Sequence, residues 1–324
     1  MRAVVLETYG GPEVLTLRDV PDPEPGPEEV VVEVVSTALN RADLLQRMGL
    51  YAGPPMDHEI PGLEMAGRVV ARGERVQRWR EGDAVMGILG GGGHAERVAV
   101  HERQLLPVPP ALPLGDAGAV PEVFLTAWDA LVVQGGLTAG RVALVHAGAS
   151  GVGTAAIQVA KALRATVVVT ASAPKLDACR ALGADAAVDH ATEDLVEATR
   201  SLGGADVVLD VIGGDYLARN VDALRVGGRI VQVGVMGGGS ATFPLGALLP
   251  KRASIIGTVL RGRPLEEKVA LTQRFEREIL PLLADGTMRP VIDSRYPLDD
   301  VAAAHEHMAA NANVGKIVLD VRGS

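Results

Sequence analysis

The stretch Val142-Ala143-Leu144-Val145-His146-Ala147-Gly148-Ala149-Ser150-Gly151-Val152-Gly153 decides how this chain is read. Its four leading apolar residues suit a buried strand, and the glycines turn the chain into a second apolar run, residues 155–163, at helical spacing. Strand, glycine turn and helix in that order are the setting in which Gly-x-Gly-x-x-Gly binds a dinucleotide, here with Ser150 at the second glycine position. The turn lets backbone approach a pyrophosphate, and the amides opening the helix bind its charge. A purely structural glycine turn is the competing reading. Residues 142–160 carry no formal charge and approach the length of a membrane span, but Gly148, Ser150, Gly151 and Gly153 interrupt them in the middle.

Outward from this stretch, residues 118–262 alternate buried strands with helices, which favours a parallel sheet and an α/β class. The expected strands are residues 141–145, 166–170, 186–188, 207–211, 229–233 and 254–258, with helices at 155–163, 175–182 and 216–224. Residues 1–117 read differently: Val-rich runs at 30–35, 67–71, 84–88 and 96–100 are punctuated by Gly, Pro and Asp, as in a small curled β domain. The segment Pro21-Asp22-Pro23-Glu24-Pro25-Gly26-Pro27 lacks the ladder donors of an interior strand and is an exposed connector. Residues 263–324 hold an amphipathic helix (265–284), a short strand near Val291, a helix (301–310) and a last strand (316–321). That segment is too small for a domain of its own, so it is expected to complete the first one.

A chain of 324 residues exceeds the usual single core, and two domains are expected. Its 40 Asp and Glu outnumber 31 Lys and Arg, for a net charge of −9, which opposes nucleic acid and anionic membrane as partners. Cys179 is the single cysteine, so neither an intramolecular disulfide nor a Cys-only zinc site is available. Its place at helical spacing between Leu176 and Leu182 suits core packing rather than reactivity. No signal peptide opens the sequence, and a cytoplasmic location is expected.

The end of the second strand reads the dinucleotide, because an acidic residue there holds a ribose 2′-hydroxyl and a basic neighbourhood accepts a 2′-phosphate. That position is Ser172, with Lys175 close behind and no carboxylate between Thr166 and Lys175. NADPH is therefore expected over NADH, although Lys175 also reads as an ordinary solvated residue at a helix start. Two further glycine corners, Asp210-Val211-Ile212-Gly213-Gly214 and Gly234-Val235-Met236-Gly237-Gly238-Gly239, end strands and either line the cofactor or are simple turns. The cofactor-binding candidates are thus Thr126, Gly148, Ser150, Gly151, Val152, Gly153, Ser172, Lys175, His190, Ile212, Gly213, Gly234 and Met236.

Five segments carry a family resemblance: Asn40-Arg41-Ala42-Asp43, Arg47-Met48-Gly49-Leu50-Tyr51, Pro61-Gly62-Leu63-Glu64-Met65-Ala66-Gly67, Gly82-Asp83-Ala84-Val85, and the glycine turn with the His146 before it. Together they resemble the zinc-free quinone oxidoreductase branch of the medium-chain dehydrogenase/reductase superfamily, near its tumour-suppressor-inducible members and their bacterial relatives. The similarity runs to Asn313-Val314-Gly315-Lys316-Ile317-Val318-Leu319. The resemblance implies a GroES-like β-rich catalytic domain plus a Rossmann doubly wound parallel-sheet domain, NADPH, a quinone or similar small-molecule acceptor, and a homodimer or dimer-based tetramer. Where zinc-dependent members read Gly-His-Glu this chain reads Gly62-Leu63-Glu64, and leucine cannot ligate metal. The place of their first cysteine ligand falls near Leu39-Asn40. Their structural-zinc lobe of closely spaced cysteines has no counterpart here. His305 and His307 come closest to a histidine pair, but residues two apart on a helix do not share a face, so no metal site is expected.

Without a Lewis acid, placement against the cofactor and a few hydrogen-bond donors must serve the acceptor. Tyr51 is the best donor, with Asn40 beside it and Asp43 orienting the group. Asn40 and Asp43 also have the spacing of a helix N-cap and its N3 partner, and Tyr51 can be a packing aromatic. Two other functions remain open on sequence: NADPH-dependent reduction of an enone or enoyl thioester, and NADPH binding without catalysis.

Overall fold

The computed structural model describes residues 1–322. Its chain forms two compact units, one from Met1–Leu125 with the chain from Arg261 onward, the other from Thr126–Leu260. Among the described residues no helix is long and apolar enough to cross a membrane.

The second unit is built on six strands in one parallel sheet, ordered Ala186–Asp189, Thr166–Ala171, Val142–Val145, Ala205–Asp210, Leu224–Gln232, Ser254–Gly257. Val142–Val145, first in sequence, lies inside the sheet. The strand order reverses between it and Ala205–Asp210, the switch point at which open α/β sheets bind ligands. Val and Leu alternate to both faces of these strands, and Val142, Leu144, Val168, Val188, Val208 and Ile230 pack with Leu195 and Val221 from the helices. The helix Leu195–Ser201 was not among the sequence expectations. Asp194 caps it, accepting a hydrogen bond from the Val196 amide at 2.8 Å, and Glu197 follows three residues after the cap.

The first unit centres on the long strand Glu29–Ala38. Its first half pairs with Arg97–His101 and its end with Lys316–Asp320, while Glu64–Arg72 runs along its other edge, all antiparallel. Ala84–Ile88 and Leu105–Pro107 extend the sheet on one side, and Ile292–Pro297 on the other. Strand Lys316–Asp320 thus occupies an interior position of a sheet begun almost three hundred residues earlier. The core beneath it joins Val30, Val32, Val34, Leu44 and Met65 to Val301, Ala304, Ile317 and Leu319. Each such side chain, fully buried, is worth about 1.5–3 kcal/mol for the larger aliphatics.

Helix 265–284 of the sequence reading is two helices, Leu265–Glu278 and Leu280–Ala284. Pro281 is the cause: it lacks an amide hydrogen and its ring meets the carbonyl four residues back, so the helix breaks at Ile279. Cys179 lies fully buried on the helix Leu176–Ala181, as expected from its spacing, and burial pushes its thiol up to about 11.

Candidate functional site

In the second unit the glycine turn is shaped by close approach. A Cβ on Gly148 would lie 2.6 Å from the Cβ of Val169, and one on Gly153 would lie 2.3 Å from the Ala147 carbonyl oxygen. Ala147 itself takes a left-handed φ of 51°, and the Gly148 amide donates to the Thr170 carbonyl at 2.9 Å. Ser150 is the N-cap of helix Gly151–Ala162; its hydroxyl accepts from the Gly153 amide at 3.0 Å. The half-buried amides of Gly151 and Val152, at the first two positions of that helix, have no acceptor within it. Serine at the second glycine position therefore has a reason: it satisfies one orphan donor and leaves two for an anion. This cradle fits the pyrophosphate of a dinucleotide.

Around the turn, a buried polar chain sets the strand ends. The His146 ring contacts Thr170 Oγ1 through Nδ1 at 2.9 Å and Asn220 Oδ1 through Nε2 at 2.7 Å. The Asn220 amide donates to Asp210 Oδ2 at 2.8 Å, and Asp210 Oδ1 accepts from the Ile212 and Gly213 amides at 2.6 and 3.0 Å. Because Asn220 gives its NH₂ to a carboxylate, its oxygen faces His146, which places the imidazole proton on Nε2. Burial holds this histidine's pKa below the ordinary value, so it is neutral. The two glycine corners expected separately are joined: Gly213 bridges Gly238, and the Gly237 amide donates to the Ile212 carbonyl at 2.7 Å. Ile212 and Gly234 are partly buried, and Met236 is 49% exposed.

Ser172 follows the strand Thr166–Ala171 and accepts, through its carbonyl, from the Lys175 amide at 2.9 Å; both residues are half-buried. The His190 amide donates to the Ala171 carbonyl, which brings exposed His190 to the same corner. Thr126 is buried on the helix Pro121–Trp128.

In the first unit the sequence candidates meet a charged cluster that the sequence did not disclose. Lys316 is 2% exposed and Glu64 is fully buried, and they pair at 2.7 Å. The Lys316 ammonium directs its other two donors to the Leu39 carbonyl and Asn40 Oδ1, each at 2.6 Å. Asn40 Nδ2 donates to Glu64 Oε1 at 2.9 Å, and the Glu122 amide donates to Glu64 Oε2 at 2.8 Å. All three ammonium donors and both carboxylate oxygens are thereby engaged, as burial of two charges demands.

Asn40 caps the helix Arg41–Arg47 and Asp43 stands at its N3 position. Both Asp43 oxygens accept backbone amides, from Asn40 at 2.7 Å and from Gly62 at 3.2 Å, and the residue is fully buried. Through them Asp43 clasps two backbone segments. Burial raises its pKa to about 6 against those two hydrogen bonds. Asn40 hydrogen-bonds to both members of the ion pair. Tyr51 is held through its backbone and ring. Arg261 donates to the Tyr51 carbonyl at 3.2 Å, its guanidinium lies 4.9 Å from the tyrosine ring centroid, and it also binds the Gly90 carbonyl and Gln46 Oε1. Burial and then the Glu122 charge raise the Tyr51 phenol above its usual range, so it remains a donor at ordinary pH.

Residues 26–110 match the alcohol dehydrogenase GroES-like domain, and residues 151–277 match the family described as zinc-binding dehydrogenase. The quinone oxidoreductase of Lama guanicoe is 32% identical over 98% of this chain and 97% of its own length. The chain belongs to the quinone oxidoreductase branch of the medium-chain dehydrogenase/reductase superfamily. Another family relative, the synaptic vesicle membrane protein VAT-1 homolog of Rattus norvegicus, is 33% identical over 98% of this chain and 84% of its own. The quinone oxidoreductase of Thermus thermophilus, solved alone and with NADPH, shares 35% identity and a TM-score of 0.86, covering 99% and 100% of the two chains. The fold is accordingly the GroES-like and Rossmann pair, and the protein is an oxidoreductase of this family with a nicotinamide cofactor.

Proposed function

We propose that this protein reduces quinones or similarly electrophilic small molecules with NADPH, without zinc. The observation that carries the reading is the built nucleotide cradle: the Ser150-capped helix with two unclaimed amides, and the Ser172 to Lys175 corner that offers a hydroxyl and an ammonium where a carboxylate would select NADH. Bound there, the reduced nicotinamide supplies a hydride. The chain's part is to hold the pyrophosphate on Gly151 and Val152, to meet a 2′-phosphate with Ser172 and Lys175, and to present the Tyr51 hydroxyl to the acceptor's oxygen. His190, Thr126 and the joined corner of Ile212, Gly213, Gly234 and Met236 complete the proposed cofactor set. Tyr51 is the proposed donor; Asn40 and Asp43 position the backbone that carries it. Leu63, buried and aliphatic, supports zinc independence. Names of quinone oxidoreductase among the relatives favour a quinone acceptor.

A homodimer in the cytoplasm is proposed with it. Ser254–Gly257 is an edge strand whose Ile255 is 42% exposed, flanked by exposed Leu249 and Val259, and such an edge calls for a partner. The deciding experiment is kcat/KM for NADPH and NADH with p-benzoquinone in wild type, Lys175→Ala and Ser172→Asp. A hydrogen bond to a charged group is worth about 1.5–3 kcal/mol, so Lys175→Ala should weaken NADPH use about ten- to a hundredfold and leave NADH use nearly unchanged. Wild type preferring NADH, or equal losses for both cofactors, would overturn the assignment.

A further inference from the structure

We infer that the seam between the helix Arg41–Arg47 and the helix Val301–Ala309 binds a small monovalent anion of halide size, held by the side chains of Arg47 and His305 with His94 behind them. The site lies wholly within the first unit and is independent of the quinone reading.

The two helices run antiparallel in a register that brings these groups level. Arg41, opening the first helix, donates to Asn311 Oδ1, just past the end of the second. One turn on, Leu44 shares a core with Ala304 and Met308. A further turn brings Arg47 level with His305, and the Arg47 charge acts on that ring. The same end of the helix is fastened a second time: the Arg47 carbonyl accepts from the Gly10 amide at 3.0 Å, and the turn Pro12–Val14 packs against Val301–Ala309. Next to His305 stands His94, edge to face, with ring centroids 6.4 Å apart and planes at 88°. A Cβ on Gly62 would lie 2.6 Å from His94 Cδ2, so backbone crowds this ring.

Burial here is nearly complete, and hydrogen bonding does not match it. His94 and His305 are fully buried and Arg47 is 6% exposed. Nε and Nη1 of Arg47, and both ring nitrogens of each histidine, have no hydrogen-bond partner among the described residues. The Ala38 carbonyl lies by His94 but outside hydrogen-bonding geometry. Glu13 and Glu306, whose charges reach Arg47, are both exposed, and neither forms an ion pair with it. A guanidinium taken out of water without a counter-charge is strongly unfavourable.

The inventory of donors says what meets that need. Nε of Arg47 carries one N–H and Nη1 two, and each neutral imidazole adds one donor and one acceptor, so donors far outnumber acceptors. Both imidazoles are neutral: burial, then His94 and Arg47, hold His305 down at about 3, and burial, then Lys316, holds His94 at about 3. Water brings donors and acceptors in equal number, so it leaves both the surplus and the charge. An anion removes both. One fixed charge calls for a monovalent ion. Leu44, Ala304 and Met308 around the seam offer no donors to the further lone pairs of an oxyanion, which selects a small spherical one. Bound there, the ion ties the helix that leads into Tyr51 to the C-terminal segment.

The test uses full-length protein as wild type, Arg47→Met and His305→Leu, melted as chloride replaces gluconate at constant ionic strength. An ion that binds only the folded state raises Tm with the logarithm of its concentration, by about 3–6 °C for each tenfold rise in chloride above the dissociation constant in a unit of this size. Arg47→Met should lose this dependence and, in gluconate alone, melt above wild type, because the uncompensated charge is gone. His305→Leu should need about ten- to a hundredfold more chloride for the same rise. Wild-type crystals grown in bromide should show an anomalous peak in contact with Arg47 and His305, a measurement that stands even where a variant fails to fold. Wild type with the same Tm in chloride and gluconate, a chloride response that survives Arg47→Met unchanged, or water alone between Arg47 and His305 in the bromide crystals would overturn the inference.

Discussion

Replacing Lys316 with methionine isolates the cost of the buried charge at the heart of the first unit. The substitution keeps the length of the stem and removes three hydrogen bonds of 2.6 to 2.7 Å, to Leu39, Asn40 and Glu64. What remains is a fully buried Glu64 carboxylate with two donors, Asn40 Nδ2 and the Glu122 amide, and no neutralising charge. Breaking a buried ion pair from one side costs about 3–5 kcal/mol. For a folding unit of this size each kcal/mol moves Tm by about 2–4 °C, so Lys316→Met should melt about 6–20 °C below wild type. The companion is Glu64→Gln, which removes the charge and keeps one acceptor oxygen for the Glu122 amide, while its NH2 can donate to the Asn40 oxygen that Lys316→Met frees. If the pair is coupled as its geometry implies, Lys316→Met with Glu64→Gln should be more stable than Lys316→Met alone, with a coupling energy of about 1–3 kcal/mol. The assay is calorimetric and denaturant unfolding of all four proteins at neutral pH. A Tm loss of only a degree or two in Lys316→Met, or additive losses in the pair, would refute the reasoning, because neither is compatible with an uncompensated buried carboxylate.

Other outcomes follow from the same geometry. Gly153→Ala should weaken NADPH binding at least about tenfold in a fluorescence titration, since its Cβ would sit 2.3 Å from a backbone oxygen that cannot move aside cheaply; normal affinity would show the turn to be slack. Asn220→Ala should cost about 1–3 kcal/mol in denaturant unfolding, because it strands buried Asp210 Oδ2 and His146 Nε2 together; an unchanged midpoint would mean that water replaces the amide. Tyr51→Phe should lower kcat with p-benzoquinone more than it raises the NADPH Kd, and equal turnover across the pH range would make the ring a packing group only.

The nucleotide unit was legible because its chemistry is local. Residues 142–153 carry strand, turn and helix start in one stretch, and buried parallel strands announce themselves as unbroken apolar runs. Even there the His146, Asn220 and Asp210 chain escaped notice, since its members lie 74 and 10 residues apart. The first unit was legible as a β-rich domain completed by the C-terminal segment, but its charged cluster was not. Asn40 and Asp43 showed their capping spacing, which the structure confirms, but nothing in the sequence ties Asn40 to Lys316. The available signal was chemical: Glu64 and Lys316 each open a strand whose following residues are mostly apolar, and two opposite charges buried there must find each other or stay uncompensated. Arg261 gave less warning, because it lies in a turn and its partners Gly90, Tyr51 and Gln46 are 171 to 215 residues away in sequence.

The same separation governs how the chain must come together in time. Asn40 and Glu64 await an ammonium that is 276 residues beyond Asn40. At a synthesis rate of about 10 residues per second, nearly half a minute passes between the emergence of the sheet's first long strand and the strand that neutralises it. The second unit, continuous from Thr126 to Leu260, has all its strands in hand before then. Long-range antiparallel pairing of this kind is slow and leaves edges open while it waits. During that interval the strand Glu29–Ala38 has a bare edge at residues 36–38, the kind of edge on which another strand can pair.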